Sequence, residues 1–239
     1  MTSHTNNAIT GMNLEILYED NHLIAVNKSG HDLVQGDSSG DEPLSDKVKE
    51  YIKQKYNKPG DVYLGIAHRL DRPVTGIVLF ARTTKALTRL NKMFQDREVK
   101  KTYWAIVQEL PEEDEATLRH FMLKDSEKNK SYAFPKMRKG AKEAVLSYKM
   151  ISSSSRYHLL EIDLQTGRHH QIRAQLAKIG CPIRGDLKYG SPRSNPDGGI
   201  SLHARSLQFI HPVKQEPVRI IAPVPDGDNL WREFANIIR

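Results

Sequence analysis

Hydrophobic residues fall into short runs separated by polar, glycine-bearing stretches. The runs at 14–18 and 23–27 flank Glu19-Asp20-Asn21-His22 and predict a β-hairpin or a pair of neighbouring strands. Residues 28–42 hold Gly30, Gly36 and Gly40 among Asp and Ser residues and predict a loop. Leu44, Val48, Tyr51 and Ile52 then share one helical face at i, i+4, i+7 and i+8. The almost unbroken apolar run at 76–82 has the pattern of a buried strand. Thr83 is placed to cap the next helix, whose inner face is Ala86, Leu90, Met93 and Phe94.

Further strands are predicted at 102–107, 117–123, 144–150 and 157–164. In the last of these His158, Leu160, Ile162 and Leu164 share a face. A helix with Ile172, Leu176 and Ile179 inward should start near Gly167 and stop at Gly180, before Cys181-Pro182. Strands at 201–209 and 218–224 follow, and Asp228 then caps a closing helix with Leu230, Phe234, Ile237 and Ile238 inward. Strands outnumber helices and often follow one another directly. The pattern therefore predicts an α+β fold with a mixed, largely antiparallel central sheet flanked by helices. No internal repeat or long linker divides it, so residues 1–11 are read as a flexible tail and 12–239 as one domain.

Charge narrows the partner. Lys and Arg total 36 against 29 acidic residues, a formal net charge of +7. That balance suits a polyanion, although it equally fits a merely basic soluble protein. Cys181 is the only cysteine, which excludes an internal disulfide and a Cys-rich zinc site. Residues 1–11 lack the apolar core of a signal peptide, and no apolar run reaches the roughly 20 residues of a membrane span. A reduced, cytoplasmic setting is expected.

Candidate chemistry concentrates in His68-Arg69-Leu70-Asp71-Arg72-Pro73-Val74-Thr75-Gly76, just ahead of the buried strand. In an extended chain Arg69 and Asp71 point to one side and Leu70 to the other. Pro73 biases Arg72 toward the same extended form. Arginines favour the ionised form of a neighbouring carboxylate, which suits a nucleophile or base better than a general acid. A structural Asp–Arg pair closing a turn is the competing reading. Residues 124–142 carry Lys128, Lys130, Lys136, Arg138 and Lys139 with Tyr132 and Phe134 interleaved. Such a stretch reads either as a flexible segment gripping RNA or as a solvated loop. Adjacent His169 and His170 would diverge on a helix and lack a Cys or acidic partner at ligand spacing, so hydrogen bonding and phosphate contact are favoured over metal. His203, His211 and Cys181 read as structural. No phosphate-binding glycine loop appears.

The run HRLDRPVTGIVLF resembles the catalytic signature of the RluA-type pseudouridine synthase family. LIAVNKSG, KTYWAIV, LQTGRHHQIRAQLAKIGCPIRGDLKYG and SLHARSLQFIHP are similar to its other motifs, in the expected order between about residues 14 and 224. The resemblance implies the pseudouridine synthase catalytic fold with a central cleft. It implies isomerisation of specific uridines in ribosomal or transfer RNA, with no cofactor and no metal. Asp71 would start the isomerisation, and Arg173 would pair with it. Tyr103 would pack on the target uracil and serve as base in a later proton removal. Arg69 would open the RNA or fill the space of the flipped nucleotide, and Leu202 would wall the uracil pocket. Arg72, Arg168, His170, Lys136 and Arg138 complete the expected substrate contacts. Turning the base requires access to both its faces, hence extrusion from the stack at a cost of about a few kcal/mol.

The expected partner is RNA, with neither DNA nor membrane, and the chain is read as a monomer. Two substitutions depart from the family pattern: Ser29 stands where proline is common, and Pro73-Val74 replaces a more polar pair. Many relatives carry an S4 RNA-binding domain ahead of the first motif. Here that motif begins near Leu14, so substrate choice is expected to rest on the catalytic domain or on a partner. One competing reading is an inactive RNA-binding module of the same fold, against which Asp71, Tyr103 and Arg173 are all intact. The other is a glycoside hydrolase, which needs two carboxylates and for which Asp163 and Asp186 are the nominees.

Overall fold

The computed structural model describes residues 14–37 and 39–237, so the expected tail and Ile238 lie outside the described residues. β1 (Glu15–Glu19) and β2 (Leu23–Lys28) form the first hairpin. Its turn closes where the Asp20 carboxylate accepts the backbone N–H of His22 and of Leu23, each at 2.8 Å. α1 (Leu44–Lys55) buries the four apolar residues predicted from its spacing. A short β3 (Gly65–Ile66) precedes β4 (Thr75–Ala81). α2 (Thr84–Gln95) begins where the Thr83 side chain accepts the Ala86 N–H at 3.2 Å.

The next five strands are β5 (Lys100–Val107), β6 (Glu115–Asp125), β7 (Lys130–Phe134), β8 (Lys142–Ser153) and β9 (His158–Leu164). α3 (Gln171–Lys178) leads through a 3-10 turn at Leu187–Tyr189 to β10 (Leu202–Ile210), β11 (Pro217–Ile221) and α4 (Asn229–Ile237).

The strands form one sheet in the order β1-β2-β4-β10-β5-β9-β8-β6-β7, with β3 added to β4 and β11 to β10. Among the described residues only the β4–β10 pairing is parallel, so the sheet is mixed and largely antiparallel, as expected. Both of its faces are covered. Val78 and Phe80 of β4 join Val48 and Ile52 of α1 and Leu176 of α3 on one face. Ile77, Leu79 and Ala81 meet Ala86, Leu90 and Met93 of α2 on the other. A strand sandwiched this way has no polar side, which is why β4 reads as a continuous apolar run.

Three local differences from the expectations have physical reasons. First, β7 forms inside the basic stretch expected to be flexible. Its alternation buries Ser131 and Ala133 against polar neighbours, a pattern too polar to read as a strand. Second, α3 starts at Gln171 rather than near Gly167, because His170 adopts a left-handed conformation at φ 54° and the preceding residues form a turn. Third, α4 buries Trp231 and Phe234 and leaves Ile237 66% exposed, so the inward face expected to include Ile237 is rotated toward the tryptophan.

Gly76 sets the junction between the two halves of the sheet. It sits at φ +109°, and a β-carbon there would lie 2.4 Å from the Ala204 carbonyl oxygen. Only glycine lets β10 approach the start of β4 this closely. Gly76→Ala should therefore cost about 2–4 kcal/mol of unfolding free energy, from overpacking and backbone strain together. Urea titration checks this, and a stability equal to wild type would show that the junction yields easily.

Candidate active site

The chain reaches Asp71 from a short segment anchored by His68, whose Nε2 accepts the Leu79 N–H at 3.0 Å. Burial, with a contribution from Lys101, pulls the His68 pKa down to about 4, which keeps it a neutral acceptor. Leu70 turns into the core, while Arg69 and Asp71 face a cavity of about 610 Å³. After Asp71 the chain turns, with the Val74 N–H donating to the Asp71 carbonyl at 3.0 Å. This turn is held from below by Lys28, a fully buried side chain at the end of β2. Its ammonium donates to the carbonyls of Ser29 (2.6 Å), Arg72 (2.8 Å) and Val74 (2.8 Å). Burial draws the Lys28 pKa down to about 7, a pull that nearby Asp32 and Asp71 oppose.

Across the cavity Arg173 rises from α3. Its Nε and one terminal nitrogen grip the Asp186 carboxylate at 2.6 and 2.9 Å, and the other terminal nitrogen donates to Asp71 Oδ2 at 3.1 Å. Burial opposes the Arg173 charge, but Asp186 and then Asp71 more than compensate and leave its pKa above the ordinary value. Arg173 and Asp186 are both buried, whereas the Asp71 side chain keeps 29% exposure toward the cavity. His170 Nε2 stands 3.5 Å from the same Asp71 oxygen, and its Nδ1 is 3.0 Å from the Tyr189 hydroxyl. Burial, then the charge of Arg173 and its neighbours, lowers the His170 pKa to about 2. The His169 and His170 rings stack at 3.8 Å instead of diverging, because they precede the helix rather than lie on it. Among the described residues no group of three His, Cys, Asp or Glu side chains is placed to hold a metal.

Tyr103 and Leu202 project into the cavity from the adjacent strands β5 and β10. Burial, and after it the Asp71 charge, raises the Tyr103 pKa well above the ordinary phenol value. Arg168 also lines the cavity, its Nε donating to the Glu143 carbonyl at 2.9 Å. The structure thus brings together Asp71, Tyr103, Arg173, Arg69, Arg168, His170 and Leu202. It does not bring in the other three expected contacts. Arg72 sits within the turn rather than in an extended run, and it pairs with Asp41 at 2.5 Å on the surface. Lys136 and Arg138 lie on the exposed connection between β7 and β8, where Arg138 covers the Phe134 ring at 3.9 Å.

Asp186 and Lys28 are site-building residues that the sequence reading missed. The signal for Asp186 was present in Gly185-Asp186-Leu187-Lys188-Tyr189-Gly190, an acid between two glycines that both adopt positive φ. Asp71 is the only carboxylate lining the cavity among the described residues. Asp186 is locked onto Arg173, and Asp163 lies in a separate groove, so the two-carboxylate arrangement of a glycoside hydrolase is absent among the described residues.

The chain matches the RNA pseudouridylate synthase family over residues 22–178. The tRNA pseudouridine synthase C of Vibrio cholerae is 32% identical over 237 residues, covering 92% of this chain and 93% of that protein. An uncharacterized RNA pseudouridine synthase of Synechocystis is 33% identical over 215 residues, and the ribosomal large subunit pseudouridine synthase D of Xylella fastidiosa is 33% identical over 230 residues. Each of these two covers 89% of this chain, which spans 66% of each of them. The structure of human RNA pseudouridylate synthase domain containing 4 superposes with a TM-score of 0.76 at 24% identity, over 94% of this chain and 93% of that one. That likeness shows the same fold. The chain belongs to the RNA pseudouridylate synthase family, enzymes that isomerise uridine in RNA to pseudouridine.

Proposed function

We propose that Asp71 is the catalytic carboxylate of this pseudouridine synthase and that the target uridine enters the cavity flipped out of its strand. The observation that carries the reading is the one cavity carboxylate among the described residues, held at 3.1 Å by Arg173 and faced by Tyr103 and Leu202. The reaction breaks the bond from uracil N1 to the sugar and forms one from C5. The C5 proton is lost and N1 gains one, so the atoms balance without an external reagent. An ionised carboxylate serves either attack on the sugar or removal of its 2′ proton, and Arg173 supplies the counter-charge for it.

Tyr103 supplies the wall against which a flipped base stacks. The same reading gives Tyr103 the later proton removal, for which the phenol, held neutral by burial, would first have to give up its own proton. Arg69 at the mouth is placed to fill the space left by the extruded base. Arg168 at the opposite rim and His170 in the cavity wall contact the nucleotide. The same reading takes residues 12–239 as one catalytic domain, acting as a monomer in the cytoplasm. No described helix is long and apolar enough to cross a membrane. Transfer RNA is the first substrate to test, because the relative aligned over nearly its whole length carries that specificity in its name. Lys136 and Arg138, remote from the cavity lining, would contact the RNA beyond the target nucleotide.

Asp71→Asn should fold and bind transfer RNA like wild type yet lose at least about 10³-fold in pseudouridine formation, measured by mass spectrometry of the digested RNA. Substantial residual turnover would reject the assignment and leave Asp71 as a structural acid. An inactive wild type that still binds RNA would support the binding-module alternative. His170 should remain neutral throughout the working range, since a base whose folded pKa is lowered to about 2 protonates only in strong acid. Imidazole NMR should show no titration between about pH 5 and 8, where a free histidine titrates near 6.5. A midpoint near that ordinary value would contradict the burial argument. Neutralising Lys136, Arg138 and Lys139 together should weaken RNA binding and reduce the salt slope by about 0.7–0.9 for each phosphate left without its cation. Unchanged binding across a salt series would remove that connection from the interface.

A further inference from the structure

The cavity continues past Asp71 to the turn between α2 and β5, where Arg97 and Lys101 both line it and the Arg97 charge acts on Lys101. Lys101 and Tyr103 are two residues apart and share a face of β5, so Lys101 enters the cavity about 7 Å further along the strand. Its ammonium lies 3.9 Å from where a β-carbon on Gly167 would stand, so it reaches across to the loop leading into α3. Burial lowers the Lys101 pKa, Asp163 opposes this, and the charge of Arg97 adds to it. Among the described residues neither Lys101 nor Arg97 has a carboxylate within ion-pair distance.

Arg97 is held in the left-handed region at φ 63°. It occupies the position just beyond the end of α2. There the Glu98 N–H closes on the Met93 carbonyl at 2.9 Å and the Arg97 N–H on the Phe94 carbonyl at 3.4 Å. That helix ending favours glycine, because a side chain is strained there. The Arg97 side chain is exposed and makes no hydrogen bond among the described residues that would offset the strain. What the arginine gains is its place on the cavity lining. Strain retained at a cleft is a reason to look for function.

Two neighbouring cations, one half-buried and one strained, fit an anion. With a uracil against Tyr103, the anion at that distance along β5 is a phosphate of the RNA backbone. We propose that Arg97 and Lys101 form a phosphate-binding subsite that clamps the RNA backbone beside the flipped uridine. This rests on the proposed reading of the cavity as the uridine site. It adds a backbone grip at the α2–β5 end, separate from the rim residues Arg69 and Arg168.

The test uses the full chain and unfractionated transfer RNA in filter binding over about 50–200 mM KCl, with thermal unfolding in parallel. Arg97→Gly should raise Tm by about 2–4 °C, because glycine relieves the strained helix ending. The same variant should bind RNA more weakly, with the log–log salt slope reduced by about 0.7–0.9, the share of one phosphate. Lys101→Met should reduce the slope similarly, and Lys101→Arg should restore it. A stabilised Arg97→Gly with wild-type affinity and slope would overturn the proposal. So would a destabilised one, which would give Arg97 a packing role instead. Failure of wild type to form pseudouridine would count against the proposed function. The binding and unfolding results would still decide whether the two cations hold a phosphate.

Discussion

One guanidinium, shared between two carboxylates, organises this molecule. Arg173 keeps a two-point grip on Asp186 and turns its remaining nitrogen to Asp71. The inner pair is fully buried, so neither member is dispensable; removing one partner of such a pair leaves an uncompensated charge that costs about 3–5 kcal/mol. The fold commits that stability to fixing the plane and direction of the guanidinium before any substrate arrives. Asp71, the partly exposed member, is thereby presented to the cavity in a set orientation. Preorganised charge of this kind needs no rearrangement when charge develops in a reaction.

The backbone beneath is built to the same end. Lys28 ties the carbonyls on either side of the turn after Asp71, and Gly76 lets β10 close against the start of β4. Gly185 serves the other side: a β-carbon there would fall 2.7 Å from Asn195, so the chain entering Asp186 runs tightly against its neighbour. The cavity side chains thus stand on a tight turn (Asp71), on strands (Tyr103, Leu202) and on a helix (Arg173). The basic side chains that would meet RNA are arranged around this rigid centre, several of them without a carboxylate partner among the described residues.

Much of this architecture was legible in the chain. The period of α1, the Thr83 cap of α2 and the apolar run of β4 each follow from rules local to a dozen residues. The grouping of Asp71, Tyr103, Arg173 and Leu202 was legible only through the family resemblance, since they come from four segments separated by tens of residues. What escaped was long-range or conformational. Asp186 lies 13 residues beyond Arg173, and its role depends on burial that no local pattern reveals. Lys28 looked like an ordinary strand-end lysine until three carbonyls, one next door and two 44 and 46 residues away, closed around it. The stacking of His169 on His170 depends on a single left-handed residue, and so does the late start of α3.

The central question for this site is whether Arg173 does more than balance charge. Lysine at that position keeps the positive charge but lacks the planar fork that can serve two carboxylates at once. The decisive measurement is the single-turnover rate of pseudouridine formation by Arg173→Lys on a bound RNA. A fall of about a hundredfold or more, equivalent to about 2.7 kcal/mol of transition-state stabilisation, with RNA still bound, is the predicted result. A rate close to wild type would show that the orientation of Asp71 does not depend on the shared guanidinium.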